Sequence, residues 1–134
     1  HQMLLDNSFD NLLSRFRPQT REGEKKLFII DANFGLTSGV AEMLMQSHPE
    51  SGEIDAQPII RLLPALPEEW PDGKVTGLLA RGGFEVDIEW ADGEIVEAII
   101  HSQHGHPCTV RYGEKTNVLK LNKGESQKMV ASDF

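Results

Sequence analysis

Residues 84–90 read Phe-Glu-Val-Asp-Ile-Glu-Trp and give the clearest secondary-structure signal in the sequence. Apolar and acidic side chains alternate through it, so the two kinds point to opposite sides of an extended chain. The pattern predicts a β-strand with one face in a core and one acidic face in solvent. Asp92-Gly93 follows it, which predicts a tight hairpin to a second strand at 95–101.

Further short strands are predicted on both sides of this hairpin. Arg81-Gly82-Gly83 is typical of a tight bend or a β-bulge ahead of the strand at 84–90. Short strands separated by turn signals at such spacing predict an antiparallel β-sandwich or barrel-like unit, which we expect to occupy residues 51–134. The other predicted strands are 75–80, 109–112 and 118–121.

The residues ahead of Pro49 follow a helical period instead of a period of two. Apolar side chains from Met3 to Phe16 recur at spacings of three and four, which predicts an amphipathic helix. The composition turns polar from Pro49 onward, and we place a boundary there. A helical unit is therefore assigned to residues 1–50 and the β-rich unit to residues 51–134.

The segment Ile30-Asp31-Ala32-Asn33-Phe34-Gly35 concentrates polar residues and glycine at the joint between an apolar run and a helix. The apolar run predicts an extended chain that would point Asp31 and Asn33 to the same side, with Thr37 or Ser38 capping a helix behind them. A carboxylate and a carboxamide converging there would orient a water or bind a sugar hydroxyl. Equally, Asp and Asn ahead of a helix serve as local caps or turn residues. The residues alone leave both readings open.

Composition excludes several classes of function. The formal net charge of −8 argues against nucleic acid or an anionic membrane as partner, because either requires a basic patch. No apolar run approaches the roughly 18 residues of a membrane span.

No metal and no cofactor is predicted, because ligands crowded into one short segment fit a structural zinc site poorly. That segment holds His101, His104, His106 and Cys108, the only cysteine, which we expect in or beside a strand.

An ordered series of motifs runs over roughly residues 28–112. The series comprises Ile30-Asp31-Ala32-Asn33-Phe34-Gly35, Gly39-Val40-Ala41-Glu42-Met43-Leu44, Gln46-Ser47-His48, Leu62-Leu63-Pro64-Ala65-Leu66-Pro67-Glu68-Glu69-Trp70, Asp72-Gly73, Val75, Gly77-Leu78, Arg81-Gly82-Gly83-Phe84-Glu85-Val86-Asp87 and Trp90. The order of these motifs is far more specific than any single one. The series resembles the C-terminal part of glycoside hydrolase family 95, the inverting α-L-fucosidases with some α-L-galactosidases.

The resemblance implies a longer parent enzyme with an N-terminal β domain, a central (α/α)6 barrel that carries the active site, and a C-terminal β-sandwich. Residues 1–50 would be the last barrel helices, which makes the chain α+β. The implied partners are a fucosylated oligosaccharide, as substrate of the parent, and the rest of the barrel. A secreted or periplasmic parent is implied as well. The chain starts within a helical pattern and without a signal peptide, so we expect a fragment whose exposed barrel face favours self-association.

The resemblance assigns one catalytic residue to this chain. Family members use a glutamic acid as general acid and a water activated by asparagines and assisted by an aspartate, and that aspartate matches Asp31. Asn33, Phe34 and Gly35 are implied to shape the substrate pocket. The general acid has no counterpart here, so the fragment alone is expected to be inactive. The alternative is a β-sandwich that serves as a non-catalytic structural or carbohydrate-binding module.

Three departures from the family pattern fall in the implied sugar pocket. Ala32 and Leu36 stand where the family usually has glycine, and Ile29 stands where it usually has glutamine. The usual His-Pro-Pro lead-in is replaced by Glu24-Lys25-Lys26-Leu27. These changes leave the expected fold intact.

Overall fold

The computed structural model describes residues 30–49 and 57–134. The elements within these residues are one helix, α1 (Ile30–Leu44), eight strands and a terminal 3-10 helix (Ala131–Asp133). The strands are β1 (Met45–Gln46), β2 (Ile59–Leu62), β3 (Gly73–Ala80), β4 (Phe84–Ala91), β5 (Glu94–Ser102), β6 (Pro107–Tyr112), β7 (Lys115–Lys120) and β8 (Ser126–Met129).

The strands form two four-stranded sheets, in the orders β1-β2-β6-β7 and β3-β4-β5-β8. The compact unit that contains both sheets begins at Ala41, and residues up to Val40 form another unit. This architecture confirms the predicted β-rich part and its sandwich-like arrangement. The helix predicted between Met3 and Phe16 lies outside the described residues. The (α/α)6 barrel and the division at residues 50 and 51 stay predictions.

β4 carries the alternation that predicted it. Phe84, Val86, Ile88 and Trp90 are at most 6% exposed, whereas the acids between them are half-buried. Burying an apolar side chain of this size stabilises the fold by about 1.5–3 kcal/mol. A slip of one residue would turn this whole face to solvent, so the apolar pattern also sets the register against β5.

Both predicted turns beside β4 are present. Asp92 and Gly93 take φ values of 52° and 77° between β4 and β5, the left-handed pair that a two-residue hairpin requires. Gly82 and Gly83 take φ values of 82° and 77° in the bend between β3 and β4. Glycine suits that bend because a side chain there would be strained.

One strand pair departs from the antiparallel prediction. β2 and β6 run parallel, with Ile59 opposite Thr109 and Leu62 opposite Tyr112. Parallel neighbours need a long crossover connection, and here the connection is the β3–β4–β5 meander of the other sheet. The resulting sheet is mixed, since β1–β2 and β6–β7 are antiparallel.

The inner faces of the two sheets supply the core. Ile60, Cys108 and Val110 from one sheet, and Ala98 and Ile100 from the other, are fully buried. A hydrogen bond of 3.3 Å from the Ile95 backbone N–H to the Tyr112 hydroxyl joins β5 to β6. In the part of the chain that the structure describes, no helix is both long enough and apolar enough to cross a membrane.

Candidate functional site

α1 carries all four of the predicted site residues. The prediction of an extended chain at Ile30 is wrong, because the helix already includes it, and Leu27–Ile29 lie outside the described residues. Residues two apart face nearly opposite sides of a helix, so Asp31 and Asn33 do not converge. Asp31 instead shares a side with Phe34 and Gly35, three and four residues further on.

The predicted N-cap is also wrong. Thr37 lies inside α1, where its hydroxyl donates a 3.0 Å hydrogen bond to the carbonyl of Asn33, four residues earlier. Two residues in this stretch favour a helix. Ala32 and Leu36 are strong helix formers, whereas glycine at each position would disfavour the helix by about 0.8–1.0 kcal/mol.

The accessible side of this helix has an acid and an aromatic ring one turn apart. Asp31 is exposed in the first turn, where the helix dipole stabilises a negative charge. The side chain of Phe34 is 68% exposed, and Asn33 is half-buried. An accessible carboxylate beside an aromatic ring can accept a bond from a hydroxyl or water while the ring contacts C–H groups. The roles of these residues stay predictions.

The C-terminal end of α1 is tied to the loop that follows β2. The carbonyl of Leu44 accepts a 2.8 Å hydrogen bond from the Leu63 N–H, and the carbonyl of Met43 accepts one of 3.1 Å from Ala65. These bonds satisfy two carbonyls that a helix end leaves without intrahelical partners. The helix therefore ends at Leu44, several residues ahead of the predicted boundary at Pro49.

The outer face of the sheet β3-β4-β5-β8 carries a side-chain link across all four strands. Asp87 on β4 accepts a 2.8 Å bond from the Gly77 N–H of β3, and its other oxygen lies 3.3 Å from Nε2 of His101 on β5. Nδ1 of His101 lies 2.7 Å from the hydroxyl of Ser126 on β8. The ring nitrogens are used in the reverse sense of a serine-hydrolase triad. We therefore interpret the link as one that stabilises the sheet.

Ion pairs and hydrogen bonds lie on both sides of this link. The acidic side chains of β4 are half-buried, and each has a side-chain partner. The hydrogen bond to Glu89 raises the pKa of Lys74 above its ordinary value, and the charge of Glu89 adds to this effect. The pairs are Lys74–Glu89, Lys128–Glu97 and Gln103–Glu85.

Cys108 lies in β6, which confirms the prediction that it is in or beside a strand. It is fully buried, and burial raises the pKa of its thiol to about 11. A nucleophilic cysteine needs a lowered pKa and access to substrate, so this thiol has the wrong properties. His104 and His106 are exposed, with ring centroids 6.1 Å apart. Among residues 30–49 and 57–134, no three His, Cys, Asp or Glu side chains are grouped to hold a metal ion.

A groove that the sequence did not predict lies between β7 and β8. It has a volume of about 340 Å³ and is lined by Asn117, Leu119, Gln127, Met129 and Asp133. Asn117 and Leu119 lie two residues apart on the same face of β7, and Gln127 and Met129 lie in the same way on β8. An amide followed two residues later by an apolar residue was the available signal, but β8 is too short and too polar to be recognised as a strand.

The family model for the C-terminal domain of glycoside hydrolase family 95 matches residues 46–133. The chain belongs to glycoside hydrolase family 95. This confirms the family that the motif series predicts, and it places β2 to β8 within the family's C-terminal domain. Asp31, Asn33, Phe34 and Gly35 precede the matched residues, so their roles remain predictions.

Named relatives agree with the family 95 assignment. The chain is 51% identical over 71 residues to Alpha-L-fucosidase 2 of Arabidopsis thaliana, across 52% of this chain and 8% of that protein. It is 40% identical over 73 residues to Probable alpha-fucosidase A of Aspergillus oryzae, across 52% and 10%. The protein of the same name from Aspergillus niger is 39% identical over 74 residues, across 53% and 9%. The chain thus matches at most a tenth of each relative's length.

Proposed function

We propose that this chain is the C-terminal part of a family 95 glycosidase that hydrolyses α-L-fucosyl linkages in oligosaccharides. The observation that carries the proposal is the family match over residues 46–133, supported by relatives that bear the name α-fucosidase. The substrate partner is a fucosylated oligosaccharide, and the structural partner is the rest of the catalytic barrel.

Hydrolysis with inversion requires two carboxyl-type functions on opposite sides of the sugar. One protonates the oxygen of the departing group while the bond to the anomeric carbon breaks. The other side orients a water, whose oxygen attacks the anomeric carbon and whose proton is removed. We assign Asp31 to the water side. The general acid comes from a part of the enzyme that this chain does not contain, so the chain alone releases no fucose.

The helical geometry refines the proposed pocket. Phe34 and Gly35 lie on the same side of α1 as Asp31, and this arrangement supports a role for the exposed ring in contacting C–H groups of the sugar. Asn33 lies on the other side of the helix and contributes to pocket shape rather than to the water. The hydrogen bonds from Leu63 and Ala65 hold only the last residues of α1, Met43 and Leu44, next to the loop that follows β2.

The test is the stereochemistry of hydrolysis by the full-length protein that contains this chain. An α-1,2-fucosylated oligosaccharide is incubated with the enzyme, and the first-formed anomer is followed by proton NMR. We expect β-L-fucose to form first and to mutarotate afterwards. Initial release of α-L-fucose would contradict inversion, and no release from any fucosylated substrate would contradict the proposed activity. The 134-residue chain, run in parallel, should release none.

A further inference from the structure

The groove between β7 and β8 lies where two sheet edges come together. β7 ends the order β1-β2-β6-β7, and β8 ends the order β3-β4-β5-β8. Leu119 and Met129 are 9% and 1% exposed and supply apolar surface. Asn117, Gln127 and Asp133 supply polar atoms around that surface. The groove therefore has a polar rim above an apolar floor that is small, because Leu119 and Met129 are almost fully buried.

The polar rim occupies positions where a sandwich normally carries apolar side chains. Asn117 is opposite the fully buried Val110, and Gln127 is opposite the fully buried Ile100. Cross-strand partners point to the same face, so both amides lie on the core side of their strands. The next residue of β7, Val118, points the other way and is 59% exposed. Asn117 and Gln127 are thus polar residues on faces whose next members, Leu119 and Met129, are buried and apolar.

Hydrogen bonds fix the side chains of the rim, and three oxygen atoms of these side chains take no part in them. Nδ2 of Asn117 donates to the Asp133 carbonyl at 3.0 Å, and Oδ2 of Asp133 accepts from the Val130 N–H at 2.8 Å. Nε2 of Gln127 donates to the Lys128 carbonyl at 2.7 Å. Oδ1 of Asn117, Oε1 of Gln127 and Oδ1 of Asp133 take part in none of these bonds. They remain acceptors suited to hydroxyl donors.

The rim selects among ligand classes. An anion is disfavoured by Asp133 and by the net charge of −8. A divalent cation is disfavoured because Asp133 is the single carboxylate among the lining residues and already accepts a backbone bond. A purely apolar ligand would bury the amides without partners, which is costly. A neutral polyhydroxylated molecule satisfies the acceptors and covers the apolar floor with its C–H face.

We propose that this groove is a binding site for a single neutral sugar residue. Its volume of about 340 Å³ lies at the lower end of the range for small-molecule sites, roughly 300–1,000 Å³, which suits one residue better than a long chain. The site goes beyond the proposed hydrolytic function and does not depend on it. It gives the C-terminal domain a carbohydrate-binding role of its own.

The test is titration of the ¹⁵N-labelled 134-residue chain, followed by NMR, with methyl α-L-fucoside, methyl β-D-galactoside and, as an anion, acetate. We expect saturable shifts from at least one sugar, centred on residues 117–119, 127–129 and 133, with a dissociation constant on the order of millimolar. Gln127→Leu should weaken binding at least tenfold without lowering the melting temperature, because the Gln127 amide supports no other element.

Gln103→Leu is the matched control, since it removes an exposed amide that contacts Glu85 on the outer face of the sheet β3-β4-β5-β8, away from the groove. It should leave binding unchanged. Asn117→Leu should also abolish binding, but it removes the bond to Asp133, so Gln127→Leu is the deciding variant. The proposal is overturned by shifts that do not saturate, by shifts centred elsewhere, by a response to acetate alone, or by equal binding in Gln127→Leu. Each result stands whether or not the full-length enzyme hydrolyses fucosides.

Discussion

The indole of Trp90 lies directly over the backbone of Gly73. A Cβ on Gly73 would overlap the six-membered ring of Trp90, and the indole Nε1 donates a 2.9 Å hydrogen bond to the Trp70 carbonyl. Trp90 is the last apolar residue on the buried face of β4, and Gly73 is the first residue of the neighbouring strand β3. The absent side chain at 73 is therefore part of the core's packing.

Gly73→Ala should lower the free energy of unfolding by about 1–3 kcal/mol, the usual cost of overpacking. Denaturant unfolding measures this change. Trp90→Phe removes the overlapping ring, so the double variant should lose less stability than the sum of the two single ones. Simple additivity would mean that the two residues do not meet as described.

Val86→Ala should lower the free energy of unfolding by roughly 2 kcal/mol, because Val86 is fully buried and its truncation leaves a cavity. Val96→Ala is the matched control on the neighbouring strand, where the valine is 49% exposed, and it should change stability by less than about 0.5 kcal/mol. Equal effects of the two variants would place the core on the wrong face of the hairpin.

Ala32→Gly and Leu36→Gly together should weaken α1 by about 2 kcal/mol of helix propensity. Amide exchange at residues 31–38 should become faster, whereas exchange in β4 should be unchanged. The reverse change in the same helix, Gly39→Ala, should slow exchange. Unaltered exchange in the double glycine variant would mean that the helix propensity of Ala32 and Leu36 does not stabilise the first turns of α1.

Cys108 should make stability depend on pH in the alkaline range. Its folded pKa is about 11, against an ordinary value of 9.0, so between these values the unfolded chain has lost a proton that the folded chain keeps. Stability therefore falls as pH rises from 9 to 11, by an amount on the order of 2–3 kcal/mol. Cys108→Ala should remove this component. Unfolding curves of both proteins at pH 8 and pH 10.5 measure the difference.

Asp31→Asn in the full-length protein should lower kcat for an α-1,2-fucosylated oligosaccharide by roughly 10²-fold or more, because the amide cannot take up a proton from water. Its melting temperature should fall only slightly, since Asp31 is exposed and loses only a weak interaction with the helix dipole. Asp92→Asn is the control, because asparagine tolerates the left-handed backbone at that turn. Full turnover by Asp31→Asn would exclude Asp31 from the reaction.

Local periodicity predicted the central hairpin because each of its signals is contained in a few neighbouring residues. The apolar row of β4 alternates without a break, and Asp92-Gly93 supplies both left-handed residues of its turn. The same reasoning failed for α1. The short apolar run before Asp31 does not distinguish strand from helix, and Thr37 can cap a helix or bond back within one.

Sequence patterns predicted three strands, at 75–80, 84–90 and 95–101, as well as the buried face of β4 and the family that the chain resembles. They did not predict that β2 pairs in parallel with β6, that Ser126–Met129 completes a sheet, or that Asp31 shares a side with Phe34 instead of Asn33. Alternation and turn chemistry act between neighbours in the chain, whereas strand partners and groove walls are set by burial between residues far apart in sequence.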